Sequence, residues 1–325
     1  MRWALVTGCS SGLGRSIALG LMREGVSVFA GVLNQAEADN LVSDTRRHTD
    51  AGRPPRFVPL ILDVTSDAQI QAAIGQVTQE VGNDGLWAVV NNAGIAVAGP
   101  IEHLSSSQWH RQFAVNFFGV ANVTRATLPL LRRGVVAHGF GVPRVMIVSS
   151  ITGRIAQPMI GAYSSSKAAV TAMGLSLRME LHPHGIGVTI LEPGAIATAI
   201  WQTDEQRSAE FTDDHPAMPN YRAGLEGLQT LSRRLAASAM PADRAAQVAL
   251  RSLRKKRAPA RVIIGRDARL LALLQSTLPR SWFEAMLMRE YGVPKPAARP
   301  PGPPNRSAFI HYQDRTEAPL ESPRA

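Results

Sequence analysis

Short apolar segments alternate with helical patterns along most of the chain, and this alternation restricts the folds open to it. The apolar segments are rich in Val, Ile and Leu on both faces, which is typical of buried strands. Strands that are each followed by a helix form a parallel sheet, and right-handed crossovers then predict a doubly wound α/β fold with helices on both faces. We predict strands at residues 3–7, 26–32, 57–62, 86–91, 144–149, 187–191 and 261–265. Helices are predicted at residues 15–24 and 107–131, and from residues 36 and 66 onward.

Residues 195–240 show few strand signals, and we predict that they form a small helical cap over a substrate site. Trp201, Phe211 and Met218 in this segment would suit a lipophilic ligand. The same three residues could equally form the core of the cap. Both interpretations stay open at this point.

Two further segments complete the C-terminal part. Residues 269–288 carry an apolar stripe at helical spacing, interrupted by Pro279, which indicates core packing or a subunit contact. The alternative is a helix that lies on a membrane surface, so a peripheral membrane contact stays open. Residues 292–325 are rich in Pro, Arg, Ala and Ser, which predicts a disordered tail. We therefore expect a single domain over residues 1–290, with residues 195–240 as its cap.

Composition narrows the possible functions. The formal net charge of +10 could favour binding to nucleic acid, to a membrane or to an anionic ligand. The one basic cluster, at residues 251–257, has no interleaved aromatic residues, which argues against nucleic acid. We expect a solvated face there, or a weak contact with acidic lipid headgroups, and no nucleic-acid partner. No apolar run is long enough for a transmembrane segment or a signal peptide, so a cytoplasmic protein is expected. Cys9 is the only cysteine, which rules out an intrachain disulfide, and the histidines lack the spacing of a metal site.

A glycine-rich segment joins the first predicted strand to the first predicted helix. It has the sequence Thr-Gly-Cys-Ser-Ser-Gly-Leu-Gly over residues 7–14. Glycine lets the backbone approach a ligand closely, and the N-terminus of the following helix favours a pyrophosphate. The position of the turn, directly after a strand and at the start of a helix, supports a dinucleotide site. The residues predicted to line it are Gly8, Ser10, Ser11, Gly12, Leu13 and Gly14.

The ends of the next strands carry further candidate ligand contacts. The second strand ends in residues 30–34, without the acid typical of NAD sites or the arginine typical of NADP sites, so the coenzyme stays open. Asp63 and the adjacent Val64 close the third strand, where Asp63 could bind an adenine amine or simply cap the next helix. Small residues and amides close the fourth strand, as suits the ligand crevice of such sheets. The candidates there are Asn92, Ala93 and Gly94.

Tyr163 and Lys167 form the most informative pair in the sequence. Four residues apart on a helix, their side chains project from one face, with about 5–6 Å between their Cβ atoms. A lysine cation near a phenol lowers the pKa of that phenol and makes tyrosine usable as a general acid or base. The spacing alone occurs by chance in many helices, so its weight depends on the rest of the chain.

With these motifs in one order, the chain resembles the short-chain dehydrogenase/reductase family over about residues 3–198, with weaker likeness to about residue 288. The resemblance implies a Rossmann-like fold and a nicotinamide cofactor, NAD or NADP. It also implies four catalytic residues. Ser150 would orient the substrate oxygen, Tyr163 would exchange the proton, Lys167 would hold the nicotinamide ribose, and Asn116 would hold a relay water. The remaining matches lie at Asp63, at residues 91–94 and at the pair Pro193-Gly194 with Thr198.

The resemblance also assigns the last cofactor contacts. Pro193, Gly194 and Ile196 would line the nicotinamide, and Thr198 would reach its carboxamide or the phosphates. Tyr163 and Lys167 count among the cofactor contacts as well as among the catalytic residues.

Residues 28–33, 86–95 and 191–198 resemble the branch with retinol and hydroxysteroid dehydrogenases. That branch implies a lipophilic, steroid- or retinoid-like secondary alcohol or its carbonyl, a slight preference for NAD, and a homo-oligomer, either a dimer or a tetramer. A β-ketoacyl reductase is an alternative activity. A dinucleotide-sensing protein without turnover is an alternative of another class, which the four intact catalytic residue types disfavour.

Overall fold

Seven parallel strands form one sheet in the order β3-β2-β1-β4-β5-β6-β7. The computed structural model describes residues 2–45, 56–137, 142–198, 215 and 218–294. The strands are β1 (Trp3–Val6), β2 (Ser27–Val32), β3 (Phe57–Ile61), β4 (Ala88–Asn91), β5 (Arg144–Val148), β6 (Gly187–Pro193) and β7 (Arg261–Ile264). The predicted doubly wound α/β fold is confirmed.

Helices cover both faces of this sheet. They are α1 (Gly12–Arg23), α2 (Gln35–Thr45), α3 (Asp67–Val81), α4 (Ser106–Phe113), α5 (Val120–Ala137), α6 (Gly161–Leu181), α7 (Met218–Ser238), α8 (Ala242–Leu253), α9 (Arg266–Thr277) and α10 (Arg280–Glu290). Successive side chains of a strand point to opposite faces, so β1 contributes to two cores. Val6 packs with α1, α2 and α8, whereas Leu5 packs with α3, α5 and α6.

The structure extends three of the predicted elements. The first helix begins at Gly12, three positions before the predicted start, because the glycine turn itself supplies the first helical residues. Strand β6 continues to Pro193, so the charged Glu192 belongs to it. The helix predicted over residues 107–131 runs from Ser106 to Ala137 and contains a π-helical segment, Ala114–Gly119, between α4 and α5.

The apolar stripe of the C-terminal part forms two helices. Pro279 caps α10 and so separates it from α9. Of the predicted cap, the structure describes the residues up to Thr198, His215 and helix α7; Trp201 and Phe211 lie outside the described residues, as does the tail from residue 295. None of the helices described here is long and apolar enough to cross a membrane.

Candidate active site

A cavity of about 1030 Å³ runs along the carboxyl ends of the strands. It crosses the point between β1 and β4 where the strand order reverses, which is where open α/β sheets bind their ligands. All the sequence-predicted site residues line this cavity except two, Gly14 and Asn116. Those two lie behind the cavity wall and shape it.

The glycine turn forms a cradle at one end of the cavity. Gly8 and Gly12 have positive φ angles of 68° and 58°, a region that glycine enters at little cost. A Cβ atom on Gly14 would lie 2.2 Å from the Gly8 carbonyl oxygen, so a side chain there would force the turn open. Helix α1 starts at this turn without an acidic residue in its first turn, which leaves its N-terminus suited to a phosphate.

Thr7 and Asn92 fix this cradle to the neighbouring strand end. The Thr7 hydroxyl accepts hydrogen bonds from the backbone N–H groups of Asn92 and Ala93, both at 3.0 Å. The Asn92 amide in turn donates to the carbonyl oxygens of Thr7 and Gly8, at 3.0 and 2.9 Å. The loops after β1 and β4 therefore hold one shape before any ligand binds.

Asp63 lines the cavity and does not cap the next helix. Its carboxylate accepts hydrogen bonds from the backbone N–H and the hydroxyl of Thr65, at 2.9 and 2.8 Å. The cap of α3 is Ser66, whose hydroxyl accepts from the Gln69 N–H. The interpretation of Asp63 as a helix cap is therefore wrong, and its carboxylate lies at the wall next to Val64.

Glu37 is a cavity residue that no sequence motif indicated. Its carboxylate turns back from the first turn of α2 and accepts a hydrogen bond from the Leu33 N–H at 2.9 Å. Asn34 accepts from the Glu37 N–H at 2.9 Å, so the two residues form a reciprocal helix cap. Glu37 and Leu33 both line the cavity just beyond the end of β2. An acid is thus present at this strand end, supplied by the helix.

The two adjacent serines after β5 have different roles. The Ser149 hydroxyl donates to the Lys167 carbonyl at 3.0 Å and lies 2.7 Å from the Thr171 hydroxyl, so it fixes α6 to β5. Ser150 faces the cavity, and its hydroxyl accepts from the Thr152 N–H at 3.2 Å. Of the two, Ser150 is the one in position to touch a ligand.

Tyr163 and Lys167 lie on the same side of α6 and both line the cavity. The Lys167 ammonium nitrogen is 5.8 Å from the centroid of the Tyr163 ring. It donates to the Val148 carbonyl at 2.8 Å, which leaves two of its three N–H groups for other acceptors. Burial lowers the pKa of Lys167 to about 8, because the charged form loses its hydration.

Asn116 is fully buried within the π-helical segment. Its amide oxygen accepts from the Ile95 N–H, and its amide nitrogen donates to the Ile95 carbonyl, each at 2.9 Å. The same nitrogen donates to the Ser166 hydroxyl at 3.1 Å, so both of its N–H groups are in use. A π-helical turn of this kind is frequent at functional sites. Here it lets Asn116 hold the loop after β4 against α6.

The loop after β6 closes the other side of the cavity. The Gly194 N–H donates to the Ile264 carbonyl at 2.8 Å, and the Ala195 N–H donates to the Asp267 carboxylate at 2.7 Å. Thr198 lies over the glycine turn, since a Cβ atom on Gly12 would be 2.8 Å from its methyl group. Asp267, on α9, is a second cavity residue that the motifs did not indicate.

A buried carboxylate lies directly behind this loop. Glu192 has no solvent-exposed surface, and its carboxylate pairs with Arg154 at 2.7 Å and with Arg261 at 3.2 Å. Arg154 follows the short helical turn after Ser150. The ion pair therefore links the loop that carries Ser150 to the strand that ends at Pro193.

The remaining wall of the cavity is apolar. Helices α7, α9 and α10 and the loops around them supply it, through Ile95, Ile151, Ile160, Leu228, Leu231, Leu235, Leu271, Leu274, Met286 and Leu287. Met218 is buried in a separate cluster with Val97 and Leu225 and does not line the cavity, so it belongs to the core of the cap. Polar side chains interrupt the wall at Gln157, at Ser232 and at the ion pair of Arg234 and Glu290, and the Tyr291 hydroxyl donates to the Gln157 amide oxygen at 2.7 Å.

These features define a class of protein, the dinucleotide-dependent oxidoreductases with a parallel sheet. A family model described as short chain dehydrogenase matches residues 2–209. The chain belongs to that family, and it is an NAD(P)-dependent enzyme acting on CH–OH groups. Among the described residues, no three His, Cys, Asp or Glu side chains come together as a metal site would need.

Relatives and solved structures agree with this assignment. The chain is 37% identical over 201 residues to an NADPH-dependent 3-dehydrocapnine reductase of Ornithobacterium rhinotracheale, covering 62% of this chain and 68% of that one. It is 32% identical to the short-chain dehydrogenase/reductase family 9C member 7 of Mus musculus, covering 91% of both chains. It is 38% identical to retinol dehydrogenase 16 of Mus musculus, over 61% of this chain and 58% of the other. A short-chain dehydrogenase from Streptomyces avermitilis superposes with a TM-score of 0.67 at 27% identity, covering 90% and 98% of the two chains.

Proposed function

We propose that the protein interconverts a lipophilic secondary alcohol and its carbonyl, with NAD as the preferred coenzyme. The observation that carries the proposal is the position of Ser150 and Tyr163, which open into a cavity whose far wall is apolar. The proposal extends the family assignment in three respects: the catalytic roles, the coenzyme and the substrate class.

The bound nicotinamide would accept the hydride from the alcohol carbon, or return it to the carbonyl. The chain supplies the proton chemistry. The Ser150 hydroxyl donates to the substrate oxygen and orients it, while the Tyr163 hydroxyl takes up or gives back the proton of that oxygen. General acid–base catalysis of this kind typically contributes about 10²–10⁴ in rate.

Lys167 supports Tyr163 and the cofactor together. One of its N–H groups is held by the Val148 carbonyl, which fixes the direction of the other two. We propose that these reach the ribose of the nicotinamide and the proton path from Tyr163. The side chain of Asn116 already uses both N–H groups on Ile95 and Ser166. We therefore propose that Asn116 acts by shaping the path and that its side-chain N–H groups do not bind the relay water.

The residues present fit a dinucleotide. The cradle of Gly8, Gly12 and Gly14 would hold the pyrophosphate at the N-terminus of α1. The cradle keeps its shape only with glycine at position 14, because a Cβ atom there would collide with the Gly8 carbonyl and distort the turn. Asp63 and Val64 would contact the adenine, and the loop from Pro193 to Thr198 would cover the nicotinamide end.

Glu37 supports the preference for NAD. Its carboxylate lies beyond the end of β2, where dinucleotide folds bind the adenosine ribose. A carboxylate at this place accepts hydrogen bonds from the ribose hydroxyls and repels the 2′-phosphate of NADP. Among the described residues that line the cavity, the arginines are Arg111 and Arg234, and Arg234 is paired with Glu290 on α10. Neither of them lies at this strand end, since they belong to α4 and α7.

The apolar wall supports a lipophilic substrate. The side chains of Leu228, Leu231 and Leu271 would bury the hydrocarbon body, and Gln157 offers its amide N–H groups to a second polar group of the ligand. A short alcohol would leave most of this wall uncovered. We therefore expect a strong dependence of kcat/KM on the apolar surface of the substrate.

One assay tests the three parts of the proposal. Absorbance of the reduced nicotinamide is followed with NAD and with NADP across steroid, retinoid and short-chain secondary alcohols. We expect turnover with NAD and a bulky lipophilic alcohol, and turnover slower by about 10²–10⁴ in a Tyr163→Phe variant. Faster turnover with NADP would overturn the coenzyme proposal alone, and faster turnover of short alcohols would overturn the substrate class alone. The homo-oligomer implied by the family resemblance stays a prediction.

A further inference from the structure

Helices α9 and α10 have an outer side that no part of the described chain covers. Leu273 and Trp282 are 58% and 69% exposed, and Leu270 is exposed to a similar degree. The inner side of the same pair is buried, with Phe283 and Leu287 packed against the loop after Ser150. The outer side of the pair therefore exposes three large apolar side chains among its polar residues, whereas a fully solvated side would carry polar residues alone.

The same two helices carry exposed arginines at helical spacing from these apolar residues. Arg266, Arg269 and Arg289 are exposed and form no ion pair with any described residue. The acidic residues of the two helices are engaged elsewhere. Asp267 accepts from the Ala195 N–H, Glu284 pairs with Arg280, and Glu290 pairs with Arg234. Three unpaired cations therefore remain beside the apolar residues.

We propose that this surface binds a membrane that contains anionic phospholipids. We call it the C-terminal face and define it by Arg266, Arg269, Leu270, Leu273, Trp282 and Arg289. Arginines beside an apolar surface match anionic headgroups above acyl chains, and an exposed tryptophan favours the boundary between them. The helices have 12 and 11 residues, so each is at most about 18 Å long at 1.5 Å per residue. Neither can span a hydrocarbon core of about 30 Å. The pair therefore lies along the membrane surface.

Charge argues against the other occupants of this face. In a two-fold dimer the same patch meets itself, which would bring the arginines of one copy toward those of the other. A nucleic acid would satisfy the arginines but would leave Leu273 and Trp282 without apolar partners. A lipid surface satisfies both kinds of side chain.

The C-terminal face is continuous with the cavity. Leu270 is both exposed and part of the cavity lining, so it lies at the rim. Through Asp267, helix α9 also holds Ala195 in the loop that covers the nicotinamide end. Docking at this face would place the cavity rim beside the acyl chains. This consequence for substrate entry rests on the proposed lipophilic substrate, whereas the docking itself does not.

Flotation of the full chain with lipid vesicles tests the docking without any turnover. The probes are phosphatidylcholine vesicles with and without phosphatidylserine, at low and high salt. We expect binding to the anionic vesicles at low salt, and release at high salt because the charges are screened. The triple variant R266Q, R269Q, R289Q should weaken binding about a hundredfold, since each arginine contributes about fivefold. The double variant L273S, W282S should weaken it at least about tenfold.

Matched controls remove the same charge and the same apolar surface elsewhere. The control triple K255Q, K256Q, R257Q removes three exposed cations from the turn between α8 and β7. The control double V136S, M179S removes two residues that are at least as exposed as Leu273 and Trp282. Both controls should bind vesicles nearly as the parent chain does.

Three outcomes would overturn the proposal. The first is no binding to anionic vesicles at low salt. The second is an equal loss of binding in the control triple, which would mean that net charge alone is responsible. The third is a shift of the L273S, W282S variant to a smaller particle in light scattering, which would assign the face to a contact between copies. None of these outcomes bears on the proposed activity, because cofactor turnover is measured separately with a water-soluble alcohol.

Discussion

The buried carboxylate of Glu192 accepts a hydrogen bond from Arg154 at 2.7 Å, and this contact joins β6 to the loop that carries Ser150. Arg261 pairs with the other carboxylate oxygen at 3.2 Å. The loop that carries Ser150 and the loop from Pro193 are therefore fixed to one charged group. The distance between the Ser150 hydroxyl and the Pro193 loop depends on this pair.

Replacing Glu192 with Gln keeps its shape and removes its charge. We expect the free energy of unfolding to fall by about 1–3 kcal/mol, because two partly buried arginines lose their counter-charge. We also expect kcat to fall more than cofactor affinity does. Urea denaturation and steady-state kinetics measure the two effects. The matched control is Glu80→Gln, which breaks the exposed pair with Arg56 and should cost less than about 1 kcal/mol. Equal effects of the two variants would contradict a positioning role.

Removing the Tyr163 hydroxyl tests the acid–base assignment directly. Tyr163→Phe should bind NAD as the parent chain does and should lose about 10²–10⁴ in turnover, because no other side chain supplies the proton. Tryptophan fluorescence titration with the cofactor and the absorbance assay measure the two quantities. Tyr221→Phe is the control, since its hydroxyl bonds to Glu102 and its side chain does not line the cavity. Turnover retained in the Tyr163 variant would remove Tyr163 from the mechanism.

Glu37→Gln tests the coenzyme preference without disturbing the cap. The new amide oxygen can still accept from the Leu33 N–H, so the loop should keep its shape. We expect the ratio of kcat/KM for NADP to that for NAD to rise at least about tenfold. The reason is that the carboxylate repels the 2′-phosphate of NADP. Two unit charges 4 Å apart repel each other by about 1 kcal/mol in bulk water and by about 4 kcal/mol near a protein surface. Asp39→Asn, on the same helix but away from the cavity, should leave the ratio unchanged. An unchanged ratio in the Glu37 variant would mean that its carboxylate does not face the ribose.

The fold was predictable because its signals are local. The five central strands are apolar and buried on both faces, and the glycine turn identifies the start of the crevice. Most of the predicted site residues lie just after a strand or, as Tyr163 and Lys167 do, one turn apart on a single helix, where spacing along the chain determines spacing in the structure.

The missed residues depend on contacts that are distant in sequence or on caps. Glu192 and Arg154 are 38 positions apart, and a charged residue after an apolar run indicates the end of a strand, which β6 contradicts. Glu37 lies on a helix, whereas the acidic residue typical of NAD sites is expected at the end of the second strand itself. The pattern of Asn34 followed three residues later by Glu37 is a capping signature and could have located that carboxylate. Asp267 could not be predicted from the sequence, because its contact with Ala195 depends on the packing of α9 beside the Pro193 loop.

Lys167 gives a prediction that needs neither substrate nor cofactor. Burial lowers its pKa in the folded chain to about 8, from an ordinary value of about 10.5. Between these values the unfolded chain binds the proton more tightly than the folded chain does. Stability contributed by this group therefore rises as the pH increases from about 8 to about 10.5. Below pH 8 the buried charge carries its full cost, about 3 kcal/mol for a shift of this size.

Lys167→Met removes that cost at low pH and has no such charge at any pH. We therefore expect the difference in the free energy of unfolding, variant minus parent chain, to be largest at pH 7 and to decrease toward pH 10. Urea denaturation of both chains at the two pH values measures this difference, and other titrating groups cancel because both chains share them. Lys255→Met, at an exposed site, should show no change between the two pH values. A constant difference for Lys167→Met would show that the Val148 carbonyl offsets the desolvation of the ammonium and that Lys167 titrates as an ordinary lysine.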